Sequence, residues 1–364
     1  MRRFPKRHTH KTASRFTLSR RDALRLLGTA ALAPFLSRLW RWQGASAASP
    51  KWGRVAWERV DVYAYPSFQA PRMAIHWMDT VLPIAQAVVA REPAHNPIWY
   101  RLAREGYVHS GGVQPVEIRP QAPQPVPEGG ALAEVTVPYT DAFIAPTKNS
   151  MHMYRLYYST THWVLEAVPG DDDPKETWYL IQEDKWDLRY YAPARHLRLI
   201  PPEELAPLSP HVPGVAKRIL VDLDAQVLLA LEYDQVVFAT RVATGAVFSD
   251  GDFRTPTGVF LTAHKRPSRH MAANNLARNG YDLPGVPWVC YITESGIALH
   301  GTYWHNDFGR PRSHGCINLS PAAARWVFRW TLPAVPPERQ WVYDDDVATL
   351  VEIVGSRKDD ATPV

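Results

Sequence analysis

His300-Gly-Thr-Tyr-Trp-His-Asn-Asp-Phe-Gly-Arg-Pro-Arg-Ser-His-Gly-Cys-Ile-Asn318 is the stretch on which the reading of this chain turns. It places Cys316, one of two cysteines among 364 residues, two positions after His314 and sixteen after His300. A glycine directly before the thiol lets the backbone approach a bound group closely. A thiol set beside imidazoles is a nucleophile with its base at hand. Zinc is the competing reading, because His305, Asn306 and Asp307 join His300, His314 and Cys316 as donor groups. Their spacing matches no standard ligand pattern such as Cys-x-x-Cys. No metal and no other cofactor is expected.

Outward from this stretch the patterns are those of strands. Arg218-Ile-Leu-Val-Asp-Leu223, Val227-Leu-Leu-Ala-Leu231 and Val236-Val-Phe-Ala-Thr240 are apolar runs separated by short polar turns, a meander rather than a strand–helix–strand alternation. Trp288-Val-Cys-Tyr-Ile292 reads as a buried strand, which makes Cys290 a small core residue, with a Cys290–Cys316 disulfide as the alternative. After Asn318, Ser320-Pro-Ala-Ala-Ala-Arg-Trp-Val-Phe-Arg-Trp330 pairs an N-cap serine with proline at the first helical position and starts a helix. Thr255-Pro-Thr-Gly258 is a turn whose proline fixes one φ and whose glycine permits another. His264, Lys265, Arg266, Arg269 and His270 read as a solvated basic loop, with steering of peptide carboxylates or acidic wall polymers as its functional alternative.

The His300–Asn318 segment resembles the signature of the L,D-transpeptidases with a YkuD-type domain: His-Gly, a spacer, then Ser-His-Gly-Cys, an aliphatic residue and Asn or Arg. A Thr-Pro-Thr-Gly turn also recurs in that family. The resemblance covers residues 214–355 and implies a mainly β fold, a YkuD-like β-sandwich with a short helix after the cysteine motif. It implies Cys316 as nucleophile and His300 as the base, its ring oriented by the carbonyl of Gly301. The N–H groups of Gly315 and Cys316 are the natural oxyanion donors. An adjacent imidazole is expected to lower the thiol pKa so that the thiolate dominates. Ser313, His314 and Asn318 are expected to hold the loop or touch substrate, and Tyr303 and Trp304 to wall an acyl chain.

The implied reaction is peptidoglycan cross-linking. The thiolate attacks the third residue of a tetrapeptide stem, D-Ala leaves, and the side-chain amine of another stem resolves the thioester to a 3→3 bond. The sequence leaves two alternatives open. One is an L,D-carboxypeptidase or endopeptidase using the same Cys–His pair, and the other is a non-catalytic wall-binding protein. Partners are then stem peptides, donor and acceptor, with glycan or wall polymer as further ligands.

Upstream lie two segments of similar pattern. Tyr63-Ala-Tyr-Pro66, Ile98-Trp-Tyr-Arg-Leu102 and Gly106-Tyr-Val-His109 are followed by Phe143-Ile-Ala-Pro146, Thr177-Trp-Tyr-Leu-Ile181 and Tyr190-Tyr-Ala-Pro193. Trp99 and Trp178 are 79 positions apart and Pro66 and Pro146 are 80 apart, which points to an internal duplication. The two units, 50–118 and 132–202, look like small SH3-like β-barrels, acting as spacers or as glycan or peptide binders. A proline-rich linker, 119–131, separates them.

The chain holds 33 prolines, about twice the usual share, which favours short strands and loops. Its net charge of +5 misleads: residues 1–47 contribute 11 basic groups and one acidic, leaving 30 basic against 35 acidic. No nucleic-acid surface is implied. Ser19-Arg20-Arg21-Asp22-Ala23-Leu24 resembles a twin-arginine export signal, followed by an apolar run and the small residues Ala45-Ser46-Ala47. Residues 1–48 are read as that signal, which places the mature chain in the periplasm or at the cell wall, and residues 356–364 as a disordered tail.

Overall fold

The computed structural model describes residues 51–273 and 280–356; the segment read above as an export signal, 1–48, and residues 357–364 of the segment read as a tail lie outside them. From Trp52 the chain forms seven short strands: β1 (Trp52–Val55), β2 (Arg59–Tyr63), β3 (Arg72–Trp77), β4 (Val81–Val89), β5 (Ile98–Leu102), β6 (Tyr107–His109) and β7 (Val113–Val116). Val60 and Val62 turn inward while Arg59 and Asp61 turn out, the two-residue period of a half-buried strand. Seven more follow: β8 (Ala131–Val135), β9 (Tyr139–Phe143), β10 (His152–Tyr157), β11 (Thr161–Pro169), β12 (Thr177–Gln182), β13 (Arg189–Pro193) and β14 (Leu197–Leu199).

The two sets are built alike. The strand orders, β3-β2-β6-β5-β4-β1-β7 and β10-β9-β13-β12-β11-β8-β14, correspond strand for strand. Asp79 and Ser159 take left-handed φ values of 67° and 63° at the same turn of each set. The register slips after Ile84 in the first and after Val164 in the second. Trp99 and Trp178 are both buried. The proline-rich segment between the sets is pinned to the second one, where Gln121 N–H donates to the Arg195 carbonyl at 2.7 Å and Gln124 N–H to the Tyr179 hydroxyl at 2.8 Å.

The third part is a pair of five-stranded sheets. β15 (Lys217–Asp222), β16 (Val227–Glu232) and β17 (Gln235–Arg241) form the meander, and β18 (Val247–Phe248) and β19 (Gly251–Asp252) make a small hairpin. Next come β20 (Gly258–Leu261), β21 (His264–Ala273), β22 (Tyr281–Tyr291), β23 (Ala298–Gly301) and β24 (Ile317–Leu319). Helix α1 (Pro321–Trp330), β25 (Val342–Tyr343) and β26 (Leu350–Val354) complete it. The sheets run β17-β16-β15-β26-β20 and β24-β23-β22-β21-β25. Ile219, Val221 and Leu228 from one, Cys290, Leu299 and Ile317 from the other, and Val327 and Phe328 of α1 share one apolar core. The fold is mainly β, a YkuD-like sandwich with one short helix after the cysteine motif. α1 begins where its cap dictates, with Ser320 Oγ accepting from Ala323 N–H and Pro321 in the first turn.

The basic segment departs from its reading as a solvated loop. It is strand β21, paired along β22. Lys265 is fully buried, its ammonium donating to the carbonyls of Phe328, Thr331 and Pro333 at 2.6, 2.7 and 2.8 Å. They are carbonyls at and just beyond the C-terminal end of α1, where helix acceptors lack intrahelical partners and a cation is stabilised. Burial still pulls its pKa down to about 8. Both cysteines are free, and Cys290 is a buried core residue whose sulfur lies 3.7 Å from Thr331 Oγ1.

The upstream sets pack on the sandwich. Leu132, Trp163 and Ile200 of the second set enter the sandwich core itself. Thr161 Oγ1 donates to the Pro267 carbonyl at 2.7 Å, and Asp184 receives Arg266 and Arg269 at 2.9 and 2.8 Å. From the first set, Arg54 is 2% exposed and donates to Gln114, Asp79 and the Tyr303 carbonyl, the last at 2.7 Å.

Candidate active site

β23 and β24 are parallel neighbours, with Leu299 opposite Ile317 and His300 opposite Asn318. Leu299 and Ile317 turn into the main core. Side chains alternate along a strand, so His300 and the residue just before Ile317 share the other face, one step apart on the diagonal. That residue is Cys316. Diagonal neighbours lie about 7–8 Å apart at Cα, within reach of a ring and a thiol. The Cys316 sulfur packs in the second apolar cluster beside Ala298, Tyr291 and Trp304, and lies 3.8 Å from the Gly296 carbonyl.

His300 is buried, and its Nδ1 stands 3.0 Å from the Gly301 carbonyl. A carbonyl only accepts, so Nδ1 carries the proton and Nε2 keeps its lone pair. Burial lowers the imidazole pKa to about 4. The same cause raises the Cys316 thiol to about 11, against which the Ala298 backbone N–H works in the opposite direction. The expected thiolate is therefore not the resting form. Burial dominates both groups, and they rest as neutral thiol and neutral imidazole.

The loop around the sulfur is tied from three sides. Gly315 has φ of 114°, a region that side chains disfavour. Ser313 Oγ accepts from Gly315 N–H at 3.2 Å and donates to the Cys316 carbonyl, so Ser313 binds its own loop. Gly315 N–H is thereby engaged, and in this state it is not the oxyanion donor it was expected to be. Thr255 Oγ1 bridges the two walls, accepting from Gly245 N–H at 2.8 Å and donating to the Gly315 carbonyl at 2.8 Å. The Thr-Pro-Thr-Gly turn thus contributes a hydroxyl as well as its backbone shape. His314 is exposed and stacks flat on Phe248, ring centres 4.5 Å apart, with Phe253 at its edge.

Tyr303, expected to wall an acyl chain, is a core residue, and Asn318 takes the loop-holding alternative of its two expected roles. Tyr303 is 2% exposed, donates to the Pro284 carbonyl at 3.3 Å and stacks on Tyr157 of the second set. Asn318 is 1% exposed, with an amide atom 3.0 Å from His305 Nε2. His305 Nδ1 accepts from Asp307 N–H, so Nε2 holds the ring proton and the amide presents its oxygen to it. Trp304 remains beside the base, 5.7 Å from the His300 ring.

Asp307, weighed above as a metal donor, is wholly buried and serves as an anchor. Arg310 and Arg312 each reach it at 2.7 Å, and His95 and Asn96 of the first set approach its other oxygen at 3.1 and 3.3 Å. Next to it, Asn306 N–H donates to the Gly111 carbonyl at 2.9 Å. The first set therefore grips the loop that joins base to nucleophile. Sequence reading missed Arg54, His95, Asn96, Thr255 and Asp184. Only Thr255 carried a signal, since it lies in a turn already singled out.

Residues 216–364 match the YkuD family model, the L,D-transpeptidase catalytic domain. No curated protein matches the chain. Among solved structures it is similar to an L,D-transpeptidase from Enterococcus faecium, at 23% identity over 38% of this chain and 50% of that one, TM-score 0.30. It is also similar to an L,D-transpeptidase from Mycobacterium smegmatis, at 19% identity over 49% and 77%, TM-score 0.31. A third is an L,D-transpeptidase from Xylanimonas cellulosilytica, at 26% identity over 38% and 60%, TM-score 0.28. The chain spans about half the length of the Enterococcus faecium structure.

Proposed function

We propose that this chain is an exported L,D-transpeptidase that forms 3→3 peptidoglycan cross-links through a thioester on Cys316. The observation that carries the reading is the orientation of His300. Its Nδ1 is spent on the Gly301 carbonyl, and its free Nε2 shares a strand face with the cysteine. The match of residues 216–364 to the L,D-transpeptidase catalytic domain supports the same chemistry.

In this reading the Cys316 S–H proton passes to His300 Nε2 as sulfur attacks the carbonyl carbon of the third stem residue. The C–N bond to D-Ala then breaks, and the departing amine takes the proton from His300. The side-chain amine of a second stem attacks the thioester, the new amide forms, and sulfur leaves and is reprotonated. Energy for the new bond is stored in the thioester, so no nucleotide is consumed. The twin-arginine resemblance supports export, which would bring the enzyme to its wall substrate. The two upstream sets are read as SH3-like modules that accompany the catalytic part.

The test is intact-mass spectrometry of the mature protein mixed with a tetrapeptide donor, then digestion of wall material. Wild type should gain a tripeptide acyl group on Cys316, and Cys316→Ala should gain none. Cross-linked dimers should form with wild type alone. Equal cross-linking by the two proteins would end the proposal, and a released tripeptide without dimer would convert it to a hydrolase.

A further inference from the structure

A groove of about 340 Å³ opens beside the nucleophile. Its floor includes Gly296 and Tyr291, both neighbours of the Cys316 sulfur. Arg266 and Arg269 on β21 line it, together with His264 and Tyr343. Both guanidinium groups are held from behind by one carboxylate, Asp184 of the second upstream set, at 2.9 and 2.8 Å. Asp184 also accepts from the His270 backbone N–H at 2.8 Å. Arg266 Nε donates to His264 Nε2 at 3.2 Å. Two guanidinium charges thus meet one half-buried carboxylate. The other acidic group on the groove is Glu294, which is exposed to solvent at the rim.

We infer that this groove is a carboxylate-reading subsite, in which Arg266 and Arg269 select peptides that carry a free carboxylate close to the bond attacked by Cys316. The inference rests on the reading of Cys316 as an acylating nucleophile for its role in catalysis, though binding reads the groove independently. Two features of the geometry favour an anion. Guanidinium groups pre-oriented by a partner lose little entropy on pairing with a second carboxylate, and their planar donors match it. Gly296 lines the groove and its carbonyl lies 3.8 Å from the Cys316 sulfur, so the arginines and the sulfur stand on either side of the same short segment. The carboxylate has two possible sources in one stem peptide, the C-terminus of the leaving residue and a side-chain carboxylate on the residue that is attacked. The second upstream set, through Asp184, becomes part of the specificity apparatus.

The experiment separates binding from chemistry. Cys316→Ala protein is titrated by calorimetry with a free-acid tetrapeptide, with its C-terminal amide and with its side-chain carboxamide. The free acid should bind about tenfold or more tightly than whichever amide removes the recognised group. Arg266→Gln and Arg269→Gln in that background should abolish the preference while leaving affinity for the amides unchanged, and Asp184→Asn, which frees both guanidinium groups from the carboxylate that orients them, should reduce it. Unchanged amide affinity distinguishes recognition from damaged folding, which would weaken every ligand in all three variants. Equal affinity for acid and both amides, or Arg variants that weaken acid and amides alike, would overturn the subsite. A retained preference with no thioester on Cys316 in the otherwise native protein would support the subsite and sink the catalytic reading instead.

Discussion

At the scale of single residues, the resting protonation of the nucleophile and base decides the kinetics. Burial drives Cys316 up to about 11 and His300 down to about 4, so the neutral pair persists across the interval between them. A preformed thiolate–imidazolium pair would titrate in the reverse order, and activity would fall once the imidazolium deprotonated. Here proton transfer to Nε2 accompanies attack on the carbonyl, and the rate of Cys316 acylation should be flat from pH 5.5 to 9.5 on the order of a few-fold, declining only toward pH 4. Stopped-flow acylation with a carbapenem checks this, beside thiolate absorbance at 240 nm measured against Cys316→Ala. The absorbance should emerge near pH 11, and a thiolate signal at pH 7 would contradict the account. The same neutral thiol should react slowly with small alkylating reagents at neutral pH.

At the scale of elements, the loop between β23 and β24 shows what one chain of letters discloses and what it conceals. The meander β15–β17 and helix α1 were legible because their signals are local: a two-residue period for the strands, Ser320 and Pro321 for the helix. Cys316 and His300 were singled out on the spacing of the His-Gly and Ser-His-Gly-Cys motif, and the structure places them near adjoining parallel strands. Asp307 was not, because its partners His95 and Asn96 lie more than 200 positions upstream and announce themselves by no pattern. The acidity of Cys316 was misjudged for the same reason, since burial is a property of the assembled fold. Lys265 misled because lysine is normally exposed, and only the three carbonyls at the end of α1 make its burial tolerable. The Asp307 anchor yields a prediction. Asp307→Asn strands Arg310 and Arg312 without their anion, at a cost of about 3 kcal/mol taken chiefly from Arg312, because Arg310 is 38% exposed and solvent screens it. Urea unfolding should record that loss, and the acylation rate at saturating carbapenem should fall on the order of 10–100-fold as the loop shifts. His95→Ala should lower the same rate with a smaller stability change. If neither variant alters acylation, the first upstream set does not position the catalytic loop.

At the scale of the whole molecule, residues 51–356 share cores and seams, so the pH dependence of the site becomes that of the fold. His162 at the seam with β21 and His305 in the anchored loop are held at about 3, and His300 at about 4, all by burial. Below pH 6.5 the unfolded chain takes up protons that these three rings refuse while folded, so the unfolded state binds more protons and stability falls as pH falls. The loss begins near 6.5, grows as each refused proton adds about 1.4 kcal/mol per pH unit, and levels off only once pH reaches the folded values near 3 to 4. Three such rings together give a slope of roughly 4 kcal/mol per pH unit, against a total stability of about 5–15 kcal/mol. The lowered pKa of Glu204, about 2 beside Arg198 and Arg325, adds in the same direction below its ordinary range. Urea titrations followed by tryptophan fluorescence and circular dichroism should show a midpoint that drops steeply between pH 7 and 5, with both probes moving together. His162 packs against Gly285 and pairs with Thr160 Oγ1 at 2.8 Å. His162→Gln removes its proton-refusing ring and should flatten the decline by about 1.4 kcal/mol per pH unit. A midpoint independent of pH over that interval would mean that these rings reach solvent before the fold opens, and that the seams between the upstream sets and the sandwich are looser than their hydrogen bonds indicate.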